Sequence, residues 1–117
     1  MRVIGIQATG AASMKASIEA GHVVTLPEIT TRVATLAARR TDERVFELVR
    51  QNVDGIILVS DEEMQEASRW LWFELGVAAD LSGAASVAAL RHERVAFRSG
   101  EHVCALICGA GAEGTGA

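Results

Sequence analysis

At 117 residues, 50% hydrophobic and 22% charged, the chain is long enough for one packed domain and too short for two. The formal net charge of −4, with 11 Lys+Arg against 15 Asp+Glu, excludes the basic footprint of a nucleic-acid binder. No apolar run approaches the ~20 residues that span a bilayer, and Met1 leads into a strand pattern without a signal-peptide flank.

Taken in chain order, Val3-Ile4-Gly5-Ile6 predicts a short buried strand closed by Ala8-Thr9-Gly10. Ala11–Ala20 is made of good helix formers and stops at Gly21, a residue suited to the left-handed cap. Residues 22–30, around Pro27, read as irregular, and 31–39 fit strand or helix equally. Thr41 or Asp42 can cap a helix to about Asn52, with Val45, Leu48 and Val49 on its apolar face. Ile56–Val59 predicts a second buried strand. Ser60 and Glu63 then form a capping box for a helix that ends at Gly76. A further helix opens at Ser82 and runs through Leu90, its small residues suited to close packing. Val103–Ile107 predicts a third buried strand, and 109–117 a flexible glycine-rich tail.

Strands separated by helices predict a single α/β domain over 1–117, a three-layer αβα arrangement with a mostly parallel sheet. Cys104 and Cys108, four apart on one apparent strand, share a face but lie too far along it for a normal disulfide. With nothing pointing to secretion, a reducing cytoplasm is the expected setting.

Few motifs carry chemistry on their own. Gly109-Ala110-Gly111-Ala112-Glu113-Gly114 matches GxGxxG after a strand, but a dinucleotide site needs the loop to open a helix, and the sequence ends at Ala117. His22, His92 and His102 have no ligand-like spacing. Ser82-Gly83 at a helix start reads as an ordinary cap before it reads as an anion site. Trp70 and Phe73 share a helix face, whereas Trp72 points elsewhere and is free to meet a partner.

In order and spacing, VIGIQATGAASMKASIEAG, LAARRTDERVFELVR, VDGIILVSDEEM, LSGAASVAAL and VCALICGAG resemble the C-terminal part of the fold-type II pyridoxal-phosphate enzymes, the tryptophan synthase β-like group that includes threonine/serine dehydratases. The resemblance implies an ammonia-lyase that converts a hydroxy amino acid to a 2-oxo acid on pyridoxal phosphate, the electron sink. It also implies that the Schiff-base lysine, the substrate-carboxylate loop and the cofactor-phosphate loop belong to a part of the family that precedes these segments. Lys15, the one lysine of the chain, falls where the family has no catalytic residue. Cys108, followed by Gly109, matches the position set against the cofactor's pyridine nitrogen. Gln7, Ala11 and Ser13 match a cation site, with Gln7 in place of the usual glutamate and so without the strongest ligand for a hard divalent ion. Gly111 stands for a common asparagine, Asp80-Leu81 for Glu-Pro, and Ala34-Thr35 for Asp-Gly. The expectation is a chain inactive alone, completed by a complementary N-terminal half or associated as a homo-oligomer. The alternative is a non-catalytic binding or oligomerisation module on the same scaffold.

Overall fold

The computed structural model describes residues 1–116, and two short parallel strands form its centre. Strand β1 (Ile4–Ala8) pairs with β2 (Gly55–Val59) from Ile4↔Gly55 to Ala8↔Val59. Branched residues dominate β2, two isoleucines stand in β1, and successive side chains leave on opposite faces. Ile6, Ala8, Ile57 and Val59 therefore join one core, and Ile56 the other. Between the strands lie helices α1 (Ser13–Ala20) and α2 (Glu43–Asn52), and after them α3 (Asp61–Leu75) and α4 (Ala85–Arg91). Met14, Val23 and Phe46 make the small core on the α1/α2 face. Met64, Ala67, Leu71, Ala84, Val87 and Ala88 make the larger one under α3 and α4. The three layers expected from the sequence are thus present: helices, parallel sheet, helices.

The caps follow local chemistry. Asp42 accepts from Arg44 N at 2.8 Å and Val45 N at 3.3 Å to start α2, and Ser60 accepts from Glu63 N at 3.1 Å to start α3. Gly21 (φ 79°) and Gly76 (φ 68°) end α1 and α3 in the left-handed region. The ambiguous stretch 31–39 holds a single 3₁₀ turn, Ala34–Leu36.

Three expectations need correction. The buried face of α2 is Phe46 with Val49, while Val45 (46% exposed) and Leu48 (62%) face out: the helix turns its largest apolar group to the core. Helix α4 begins at Ala85, and the 82–84 backbone forms a turn on Asp80 instead. Val103–Ile107 pairs with no strand among the described residues; Ala105 and Ile107 pack inward, whereas Val103 (48%) and Leu106 (74%) are exposed. Alternation reports which side chains are covered; a ladder also needs a neighbouring strand. Farther on, Gly111 N donates to Ala78 O at 3.1 Å and Gln65 Nε2, on α3, to Glu113 O at 2.8 Å.

Candidate functional site

A polar junction surrounds Asp80, in the turn between α3 and α4. Its Oδ1 accepts from Gly83 N at 2.6 Å and from Ser82 Oγ at 3.3 Å. Thr35 Oγ1 donates in turn to Ser82 Oγ at 2.8 Å. Asp80 N donates to Gly109 O at 3.2 Å, next to the Ala79–Ala110 bridge. Three glycines make this approach possible. A Cβ on Gly109 would lie 2.6 Å from Asp80 Oδ1, one on Gly111 2.8 Å from Asp80 Cβ, and one on Gly83 2.5 Å from Gly109 O. Asp80 thus joins two segments: its carboxylate holds the turn before α4, and its backbone N–H holds the Gly109 carbonyl.

Cys108, next to Gly109 in the chain, is exposed, and so is Cys104. The junction brings together Cys108, Gly109, Ser82 and Gly83, which the sequence singled out. It adds Thr35 and Asp80 as participants, although the sequence marked these positions only as departures from a family pattern. An acid two residues before a serine at a helix start is a capping signal in its own right, and that signal was available.

Gln7, Ala11 and Ser13 lie along the β1–α1 turn. Gln7 Oε1 accepts from Lys15 N at 3.0 Å and serves the first turn of α1, and Ser13 O accepts from Ser17 Oγ at 2.8 Å. Ala11 and Ser13 are buried. This set offers neutral oxygens only, with the Gln7 oxygen already engaged, and does not fit a hard divalent ion. Among the described residues no group of three or more His, Cys, Asp and Glu side chains could hold a metal. Lys15 sits on the opposite layer from Asp80. Its Nζ lies 3.3 Å from Glu19 Oε1 and 3.5 Å from Ile56 O, beside an open cavity of about 350 Å³ lined also by Thr9, Glu28 and Thr30.

The remaining marked residues are structural. His92 Nε2 meets Glu66 Oε2 at 3.0 Å, while His22 and His102 are exposed and separate. Arg91 lies 4.6 Å from the Trp70 ring centroid and Arg69 5.4 Å from that of Phe73. Trp70 packs on the core, whereas Phe73 and Trp72 are exposed. Glu63 is held below the usual carboxylate range by its hydrogen bond from Arg94, and Glu66 by its hydrogen bond from Arg91, each against the opposing pull of burial. The GxGxxG stretch opens no helix within the described residues, and Gly114 is pressed against Ser68 instead.

Comparison with known proteins agrees with the α/β fold. The family model described as "Pyridoxal-phosphate dependent enzyme" matches residues 1–109. The phenylserine dehydratase of Ralstonia pickettii is 35% identical over 108 residues, 92% of this chain and 33% of its own length. The L-threonine ammonia-lyase of Geobacter sulfurreducens is 31% identical over 91% of this chain and 26% of its own. Among solved structures, the T.th. threonine deaminase superposes with a TM-score of 0.73 at 33% identity, covering 78% of this chain and 34% of that one. The processed threonine deaminase isoform 2 of Solanum lycopersicum gives a TM-score of 0.81 at 26% identity, over 95% and 33%. The chain therefore spans about a quarter to a third of these relatives. With its α/β fold, its order of segments and this match over nearly its whole length, the chain belongs to the pyridoxal-phosphate-dependent enzyme family.

Proposed function

We propose that this chain forms one wall of a pyridoxal-phosphate-dependent dehydratase site, acting on a small hydroxy amino acid and releasing ammonia and a 2-oxo acid. The observation that carries the reading is the Asp80 junction, which presents the exposed Cys108 thiol beside a Gly109 cradle too tight for a Cβ. The residues present fit one edge of the cofactor ring. Cys108 would meet the pyridine nitrogen as a neutral thiol, and Gly109 would let the ring approach the backbone. When bound, the cofactor supplies the electron sink for elimination. Asp80, Ser82 and Thr35 orient that wall by fixing the turn before α4. Gln7, Ala11 and Ser13 carry no divalent ion in this reading.

The lysine that attaches the cofactor and the loop that holds its phosphate come from another polypeptide segment, so the chain is inactive alone. Its partner is that complementary part or a further copy of itself. No helix among the described residues is long and apolar enough to cross a membrane, and two exposed free thiols suit a reducing cytoplasm.

A chimaera tests the reading: residues 1–109 replace the matched segment of the Ralstonia pickettii phenylserine dehydratase. The chimaera is expected to change the absorbance of added pyridoxal phosphate and to form 2-oxo acid, and Cys108→Ala is expected to slow it. The chain alone is expected to do neither. A cooperatively folded chimaera that leaves the cofactor spectrum untouched would overturn the proposal in favour of a non-catalytic module.

A further inference from the structure

We propose that Gln7 and Lys15 do by hydrogen bonding what the cation implied at Gln7, Ala11 and Ser13 would do, so that the β1–α1 turn is fastened without a divalent ion. The device needs neither a bound cofactor nor an open surface, because each of its bonds joins groups that β1, α1 and β2 already bring together.

Helix α1 has no cap of its own. Ala12 stands at its N-cap and makes no side-chain hydrogen bond, and no acidic residue lies in its first turn. Helices α2 and α3, by contrast, are capped by Asp42 and Ser60. The first turn of any helix leaves N–H groups without an acceptor inside the helix. One of these, the Lys15 N–H, is taken at 3.0 Å by Gln7 Oε1, which reaches it from strand β1 across eight residues of sequence. The side chain at position 7 therefore ties the strand directly to the helix that follows it.

Lys15 completes the fastening. Its Nζ lies 3.5 Å from Ile56 O on β2 and 3.3 Å from Glu19 Oε1, one turn along α1. A single residue thus holds α1 to both strands, to β1 through its backbone and to β2 through its side chain.

The oxygens around the turn are engaged in the same way. Gly10 O accepts from Thr30 N at 2.9 Å, Ala12 O from Ala16 N at 3.0 Å, and Ser13 O from Ser17 Oγ at 2.8 Å. Ala11 and Ser13 are 1% and 3% exposed, so the turn is packed as it stands. Hard divalent ions bind oxygen-rich sets that include carboxylates. Position 7 offers an amide oxygen instead, and that oxygen is accepting an N–H. The exchange of charge for a hydrogen bond is what removes the ion and keeps the turn closed.

The response of the full chain to ions tests this. Urea midpoints are measured in EDTA and in millimolar Mg²⁺, Ca²⁺ or Mn²⁺ at constant ionic strength. The wild type is expected to keep one midpoint throughout. Gln7→Leu, close in size but without the acceptor, is expected to unfold at a midpoint lower by about 0.5 M under every condition. Gln7→Glu keeps the acceptor and restores a charge. It is expected to match the wild type in EDTA and to gain a midpoint that rises saturably with at least one of the ions. A wild-type midpoint that rises saturably with a divalent ion would overturn the proposal. So would a Gln7→Leu variant as stable as the wild type, or a Gln7→Glu variant blind to all three ions.

Discussion

Asp80 ties the turn before α4 to Gly109. One oxygen takes Gly83 N–H and Ser82 O–H, and its backbone N–H takes Gly109. Asp80→Ala leaves the Gly83 donor without this acceptor and opens a gap between Gly109 and Gly111. The expected cost is about 1–3 kcal/mol, measured as a lower urea midpoint at unchanged slope. Asp80→Asn, which keeps an oxygen acceptor of the same size, is expected to lose less than half as much. If the two variants were equally stable, the junction would not be holding the turn. The position was visible in the sequence only as an acid near a helix start. Its three glycine contacts join residues distant in the chain, and no spacing rule reports them.

Among elements, α3 was the most legible, because each of its signals is local. Ser60 caps it, Asp61, Glu62 and Glu63 favour its positive end, and Gly76 stops it with a left-handed turn. Ser60→Ala is expected to cost about 1 kcal/mol, read from thermal melts. Helix α2 was legible in extent, since Asp42 caps it, but not in orientation. Val45, Leu48 and Val49 offered as good a stripe as Phe46 with Val49, and only the position of Met14 and Val23 selects Phe46. The segment 103–107 carries a strand's alternation without a strand's ladder, because hydrogen-bond partners lie outside any local pattern.

For the whole molecule, the charged clamp between α3 and α4 ties stability to pH. Arg91 and His92 converge on Glu66, and Arg94 on Glu63, at 2.6–3.2 Å. Both carboxylates are held below their usual range, first by the arginine hydrogen bonds. A lowered folded value means the native state binds the proton less well than the unfolded chain. The stabilisation is therefore complete above the ordinary glutamate range and is lost as pH falls through the lower folded values. Glu66→Gln is expected to cost up to about 1 kcal/mol near neutrality, as for a half-exposed pair, and to flatten the acid limb of the stability curve. An unchanged limb in chemical denaturation at stepped pH would remove Glu66 from the clamp.

Length, caps and hydrophobic periods determined the α/β class, two strands and the helices, and the order of five segments carried the resemblance to the family. Each of these follows from residues within a few positions of one another or from their order along the chain. The tertiary structure alone decided that Asp80 binds the Gly109 carbonyl, that Gln7 serves α1, and that Val103–Ile107 meets no strand among the described residues. Those outcomes depend on which distant backbone groups meet. Hydrogen-bond satisfaction is settled in three dimensions, whereas hydrophobic period is written along one.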